Sequence, residues 1–451
     1  MTTAVEIETP VKGVVTKLKF LLANRNLGFM ESAFSIAATW IWAPALFVSA
    51  QKAYQQGIVG LFWFLAPNVL CLILFAFFIS KLRVSTNSEY TLSDYMRANT
   101  SDRVQNVYWV ALVGLTVCAF AVQLLAGGKL LAQLLSLPYP VMTVILTMIP
   151  LSYSMIYGLK VSVLTDYVKM LVIVALGLFL IPSVIHKAGG IDIVLQGLGG
   201  KSGQFTNLFD ASGLKVFLTF GIPVTIGLIS GPFGDQSFWQ RGFAIKQSEV
   251  KKSFITGAFI FGLVPLMMGL VGFLAAGLKL PIKDPQMVNL EVITALLPGW
   301  GVACFIVMVF AGLTSILDSK FCSMASISGH DMVRRFFNDD SDEFSLKISR
   351  WGMVVLSFSA IAIANIPGLK ILHLFLFYGT LRSSTLLPTI LTINKVKLSE
   401  KGVFYGMILS LFLGLPIFAY GNLNSLVPYI VGGSLFTVLT PGILGYLLPK
   451  K

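Results

Sequence analysis

GLISGPFGDQSFWQR, residues 227–241, closes an apolar run of membrane-helix length with Gly-Pro-Phe-Gly and a carboxylate. In lipid, every backbone N–H and C=O needs a partner. An interrupted helix therefore survives only when it is buried in protein or borders a water-filled cavity. The stretch predicts a discontinuous helix that lines something.

The rest of the chain supplies the context. Of 451 residues, 56% are hydrophobic and 12% charged, where an ordinary soluble chain carries about 25% charged residues. Apolar stretches recur at 28–50, 57–80, 106–135, 138–157, 163–185, 215–233, 253–278, 300–328, 348–366, 371–393, 403–420 and 425–448. Each has about the 20 residues that one crossing requires. The expected fold class is an all-α polytopic membrane protein of 12 transmembrane helices, numbered as spans 1 to 12.

Span 1 is interrupted as well, at ATWIWAP (38–44). Interruptions at matching positions of two halves point to the binding site of a transporter built from inverted repeats. Residues 28–185 would form the first repeat and 215–393 the second. Residues 403–451 would add two helices and a short cytoplasmic C-terminus, and 1–27 a cytoplasmic tail. That tail has no continuous apolar core, so it is not a signal peptide. It reads as a solvated segment, with a membrane-surface amphipathic helix around Val11 to Leu22 as the alternative.

The net charge of +13 is spread over short loops, which excludes a nucleic-acid surface. Loops on one side hold Lys81, Arg83, Arg97, Arg103, Arg241, Lys246, Lys251, Lys252, Arg334, Arg335, Lys347, Arg350, Lys395, Lys397, Lys401, Lys450 and Lys451. The other side holds Lys52, Lys187, Lys201, Lys215, Lys279, Lys283 and Lys370. The positive-inside rule then places both termini in the cytoplasm of a multi-pass plasma (inner) membrane protein. The partners expected are the bilayer and a small-molecule solute. The oligomeric state stays open, a monomer included.

Four cysteines (Cys71, Cys118, Cys304, Cys322) lie in apolar segments without a CxxC pair, and the three histidines are far apart, so neither a disulfide framework nor a transition-metal site is expected. GLGGKSG (197–203) lacks the Lys-Ser/Thr ending of a phosphate loop and reads as a flexible turn. No HExxH helix, Ser/His arrangement or paired-Asp site is legible, so the chain is not read as an enzyme.

Charges at bilayer depth cost about 2.5–3.5 kcal/mol each at a helix centre and so need a reason. Lys129 can snorkel from the outer end of span 3. Asp166 and Lys169, three apart, can pair on one face of span 5. Asp318 and Lys320 point in different directions, with Asp318 a candidate proton-carrying or structural carboxylate, as is Asp235. Arg382, in the middle of span 10, fits two uses. It could grip an anionic solute in a bidentate fork, or pair internally with Asp318, Asp235 or Glu31. The hydroxyls Thr314 and Ser315 could serve a hard cation, or could bond the preceding turn of their own helix.

Four pieces resemble the sodium:solute symporter family, in the family's order over residues 25–395. They are FSIAATWIWAPALFVSAQKAYQQG (34–57), YGLKVSVLTDYVK (157–169), GDQSFWQRGFAIK (234–246) and AGLTSILDSKFCSMASISGHDM (311–332). The resemblance implies a five-plus-five inverted-repeat fold and ion-coupled symport by alternating access. It places a sodium ion on the carbonyls of Ala38 and Ile41 and on ligands from span 8. Those ligands fall on Gly312, Ser315 and Ile316 in one register, or on Ala311, Thr314 and Ser315 in a chemically complete one. Sodium is the coupling ion expected; the alternative is a proton-coupled or uncoupled carrier of a small nitrogenous or anionic solute, because Ile316 carries no oxygen and Asp318 is a carboxylate on the same span.

The aromatic gate of sugar-transporting members falls on Gly231 and Pro232, which disfavours sugar. The urea-transporting branch has a similar Asp-Gln-x-aromatic-Trp-Gln stretch, which leans toward a small polar solute. The expected cavity is lined by Thr39, Trp40, Trp42, Gln123, Gly231, Phe233 and Arg382. Gly231 to Gly234 would be unwound, and Asp235, Gln236 and Arg241 would form an inner collar.

Overall fold

The computed structural model describes residues 15–85, 88–337, 339, 341–369 and 371–449. Residues 1–14, Lys370, Lys450 and Lys451, which entered the tail and orientation arguments, lie outside them. Helices account for nearly all regular structure among the described residues, and ten are long and apolar enough to cross a membrane. Spans 1 and 10 are built from shorter pieces and complete the expected architecture. Span 1 comprises Phe29–Trp40 and the start of Ala43–Ser85, which breaks at Gln56 and Gly57 where span 2 begins. Span 10 comprises Ile371–Ser384 and Leu386–Ile393.

The packing repeats itself. Spans 1, 2, 6 (Ala211–Phe233 and Gln236–Ala244) and 7 (Val250–Gly277) form one bundle. Spans 3 (Asp102–Leu134), 4 (Tyr139–Tyr157), 8 (Gly299–Phe336) and 9 (Asp342–Ala364) form a second frame beside it. Span 5 (Leu159–Lys187) packs on spans 1 and 8. Span 10 packs on spans 6 and 3, the counterparts of 1 and 8 under an exchange of the two halves. Spans 11 (Glu400–Leu423) and 12 (Val427–Leu447) pack on each other, and span 12 rests on span 10.

Both interruptions exist, and one is displaced. In span 1 the helix ends at Trp40, and Ile41 leaves helical geometry at φ −80°, ψ 81°. Pro44 follows, where the missing N–H suits the first turn of the next segment. In span 6 the helix stays wound through Gly231, Pro232 and Phe233, and breaks only at Gly234 and Asp235. A proline near a helix end does not force the break at its own position, and here the Asp235 carboxylate restarts the helix by accepting the Ser237 amide at 2.9 Å. Gly234 permits the close approach of span 10, since a Cβ there would lie 2.7 Å from Arg382 Cγ.

Two expected loose segments are docked. Lys17–Leu22 is a short helix capped by Thr16, with Phe20, Leu21 and Leu22 buried in the core. Leu27 then bonds in parallel to the end of span 6, its amide to Ala244 O at 3.1 Å and its carbonyl to Lys246 N at 3.1 Å. Residues 17–27 are therefore not a solvated tail. GLGGKSG is not a flexible turn either: Leu198 O accepts from Ile58 N at 2.8 Å and Tyr54 O from Lys201 N at 2.7 Å. The turn plugs the break between spans 1 and 2, where Gly57 sits at φ 55° with Leu198 O 2.4 Å from where a Cβ would be.

Candidate transport site

The two helix breaks meet. Between them lies a small pocket of about 20 Å³, lined by Thr39, Trp40 and Trp42 of span 1, Gln123 of span 3, Asp235 of span 6, Ile316 of span 8 and Tyr378 and Arg382 of span 10. That is room for at least one ordered water, which needs about 10–15 Å³ of such space. Of the expected cavity residues, Thr39, Trp40, Trp42, Gln123 and Arg382 come together here. Gly231 lies behind the wall, under the Trp40 ring, where a Cβ would come within 2.3 Å of Cη2. Phe233 faces away, into an aromatic cluster with Phe75, Phe78 and Trp239. Because the helix remains wound to 233, its side chain turns toward span 2 instead of the pocket.

Next to the pocket is a larger cavity of about 380 Å³ on the side expected to be outer. Trp42 and Arg382 belong to both linings and form the partition. The remaining wall is mostly apolar, including Val48, Phe64, Phe220, Pro223, Val224 and Phe418. Its volume falls in the range of about 300–1,000 Å³ usual for small-ligand sites.

The opposite side is filled by ion pairs. Asp166 (span 5) is fully buried and meets Arg241 (span 6) at 2.7 Å. The same carboxylate accepts from Ser35 (span 1) at 2.7 Å and from Ser315 (span 8). Arg241 also donates to Ser35 and Ser319, at 2.9 and 2.7 Å. One knot thus joins four spans. Lys169 does not pair with Asp166 as expected. It reaches across to Asp318 at 2.6 Å, where Tyr153 and Ser162 also donate, at 2.5 and 2.9 Å. Residues three apart share a helix face only approximately, and here each finds a better-placed partner on a neighbouring helix. Lys320, pointing the other way, pairs with Asp235.

Arg382 has none of the carboxylate partners expected for it. Asp318 and Asp235 are taken, and Glu31 accepts the Gly28 amide at 2.6 Å, capping its own helix. The guanidinium instead donates from Nη2 to Gly227 O at 2.5 Å and lies over the Tyr378 ring at 5.0 Å.

The span 8 ligands separate by face. Gly312 faces the span 1 break, with Ile41 Cγ2 3.3 Å from a notional Cβ. Ile316 lines the small pocket. Thr314, of the chemically complete register, spends its hydroxyl on Phe310 O and Ala311 O within its own helix, at 2.9 and 3.2 Å. Ser315 remains in contact with the interhelical network. Thr39 and Ser319 hydroxyls, 3.1 Å apart, extend that network toward the pocket.

The structure adds a second polar layer, unassigned from the sequence, at the end of span 8 expected to be cytoplasmic. Residues 88–94, between spans 2 and 3, insert beside the inner end of span 8. Asp94 meets His330 at 3.0 Å and Arg334 at 3.1 Å, and Asp331 accepts from Thr91 and Ser93. Gln236 bonds Leu92 N and Tyr90 O at 3.1 and 3.2 Å, and Tyr90 stacks on His330. Burial alone would raise the Asp94 carboxyl. The His330 hydrogen bond and the charges of His330, Arg334 and Arg97 outweigh it and hold the group below its ordinary value. The Glu-Tyr-Thr-Leu-Ser-Asp run at 89–94 is the available signal, since its polar groups suit caps and cross-chain bonds.

Comparison with known proteins gives the family and the fold. Residues 20–410 match the model of the sodium:solute symporter family, and the chain belongs to that family. Its members are transporters, not enzymes. The urea-proton symporter DUR3 of Oryza sativa subsp. japonica is 23% identical over 446 residues, covering 90% of this chain and 62% of that protein. The urea active transporter of Saccharomyces cerevisiae is 21% identical, covering 85% of this chain and 56% of its own length. The chain therefore spans about six-tenths of the urea relatives it matches. The sodium/pantothenate symporter of Escherichia coli is 25% identical, with 86% and 82% covered. Among solved structures, a Na+-coupled sialic acid symporter in its substrate-bound outward-open state shares the fold at a TM-score of 0.78 and 17% identity, with 96% and 93% covered. Mhp1, a nucleobase-cation-symport-1 family transporter in a closed conformation, does so at 0.62 and 15%, with 95% of each chain covered.

Proposed function

We propose that this protein is a secondary active symporter that uses a sodium gradient to take up a small polar organic solute by alternating access. One observation carries the reading: both helix breaks border one small pocket that has an adjoining cavity on one side and a buried ion-pair layer on the other. Solute would enter from the cavity, and the layer would have to part for release. The Lys/Arg asymmetry supports a plasma-membrane orientation with cytoplasmic termini, so the cavity faces out.

Sodium would lie between the Ala38 and Ile41 carbonyls and Ser315. There it would tie span 8 to span 1 and favour the outward form, the reciprocal coupling that symport requires. A tenfold gradient supplies about 1.4 kcal/mol and 100 mV about 2.3 kcal/mol per charge, enough to concentrate a neutral solute several hundredfold.

A proton is the second reading. Ile316 replaces a hydroxyl in the register that faces span 1, and the Lys169–Asp318–Tyr153 cluster joins spans 4, 5 and 8 as an exchangeable-proton group would need to.

The test is thermal unfolding of the purified protein against sodium at constant ionic strength, with choline as the replacement cation. Saturable stabilisation that is lost in Ser315→Ala supports sodium. Indifference to sodium, together with a pH-dependent stability that changes in Asp318→Asn, moves the coupling to protons.

A further inference from the structure

We infer that the solute is a small monocarboxylate whose acid group is held by Arg382, with its apolar body in the outer cavity. This names the substrate class for the symporter reading and rests on it.

Charge balance is the first support. Among the described residues, the three carboxylates of the membrane interior, Asp166, Asp235 and Asp318, each hold a cation of their own: Arg241, Lys320 and Lys169. Arg382 is a fourth cation with no carboxylate, although it is only 4% exposed. A buried guanidinium offset by one carbonyl and by the ring and hydroxyl of Tyr378, with no counter-charge of its own, leaves part of its lost hydration unreplaced. One bound monoanion makes the centre neutral. Asp235 borders the same pocket, but its charge is met by Lys320 and does not repel the newcomer.

The unused hydrogen-bonding atoms agree. Arg382 Nε and Trp40 Nε1 are both buried, both belong to residues lining the central pocket, and neither finds an acceptor. Both are donors and can never accept. A ligand that completes them must bring acceptors, and a carboxylate brings two oxygens with about four lone-pair sites. An amide or urea brings one oxygen, and its N–H groups would have to compete with Lys320 for the Asp235 carboxylate.

Position gives the body of the ligand. Arg382 stands in the partition between a pocket of about 20 Å³ and a cavity of about 380 Å³. The central pocket is by far the smaller of the two, so a ligand with its acid head at the guanidinium extends the rest of its body outward. That remainder meets Val48, Phe64, Phe220 and Val224, which favour an aliphatic or aromatic group over a polyhydroxylated one.

The experiment measures thermal stabilisation of the purified full chain by monocarboxylates of two to nine carbons, with and without a phenyl ring. Each is paired with its primary amide, and urea is included. Acids should bind about tenfold to hundredfold more tightly than their amides, the range for a charge-assisted hydrogen bond. Arg382→Gln should abolish that preference, and Arg382→Lys should keep part of it. The inference is overturned if amides or urea match the acids, if no acid stabilises the protein, or if Arg382→Gln leaves the preference intact. Sodium and proton responses are scored on the same samples. A cation response without an acid response defeats the carboxylate assignment alone, and the absence of every cation response defeats the symporter reading itself.

Discussion

The two sides of the central pocket are built from opposite materials. On the inner side, Asp166, Asp318 and Asp235 are met by cations, hydroxyls and a second polar layer around Asp94 and Gln236. On the side expected to be outer, an apolar cavity ends at one guanidinium that meets no acid among the described residues. Buried ion pairs contribute little net stability compared with apolar packing, yet breaking one leaves an expensive orphan. A polar layer is therefore well suited to a gate, because it holds one arrangement firmly while its groups can find water once the layer parts. In the transport reading proposed above, the cavity side needs no such specificity to admit a solute.

The contrast is sharpest between two arginines. Arg241→Met leaves Asp166 buried without its cation and should cost about 3–5 kcal/mol. Arg382→Met orphans no acid, so the empty protein should melt at the wild-type temperature or higher. Thermal melts of both variants in the same detergent check this, and a comparable loss in both would erase the distinction between the two sides.

A smaller effect is expected where the two sides touch. Gly231→Ala drives a methyl into the Trp40 ring, which is 4% exposed and cannot move freely. Overpacking of this kind costs about 1–3 kcal/mol. Its readouts are a lower melting temperature and a change in tryptophan emission, and Gly227→Ala serves as the control because its Cβ meets only Arg382 Nη2 at 3.7 Å.

The smallest expected effect is at the inner rim. Asp94→Asn keeps a hydrogen-bonding side chain but removes the charge that meets buried His330 and half-exposed Arg334, worth about 1 kcal/mol. The folded Asp94 carboxyl lies below its ordinary value. Its contribution is thus complete above the unfolded pKa of about 3.9 and is lost as pH falls through the lower folded value. Melting temperature measured from pH 7 to pH 3 should fall less steeply at the acid end in Asp94→Asn than in wild type.

Much of the candidate site is legible in the sequence. Thr39, Trp40 and Trp42 stand beside a helix interruption, and Gln123 and Arg382 are polar groups in apolar spans, so each carries its own local signal. Phe233 and Gly231 fall elsewhere than expected because a Gly-Pro-Phe-Gly run marks a weak helix without saying at which residue it opens. The two registers for span 8 differ by one residue, about 100° around a helix. Only the neighbours, Ile41 against Gly312, the Phe310 carbonyl beside Thr314 and the Asp166 carboxylate beside Ser315, decide what each group meets.

The membrane class, the number of passes and the two interrupted helices follow from the chain's local chemistry. Hydropathy and backbone hydrogen-bonding capacity are properties of a short stretch, and lipid enforces them locally. Which acid meets which base was settled by tertiary packing. Arg241 and Asp166 lie 75 positions apart and His330 and Asp94 236 apart. Such pairings depend on how each helix is rotated about its axis when it packs, which no local pattern records. That rotation also left Arg382 without a carboxylate.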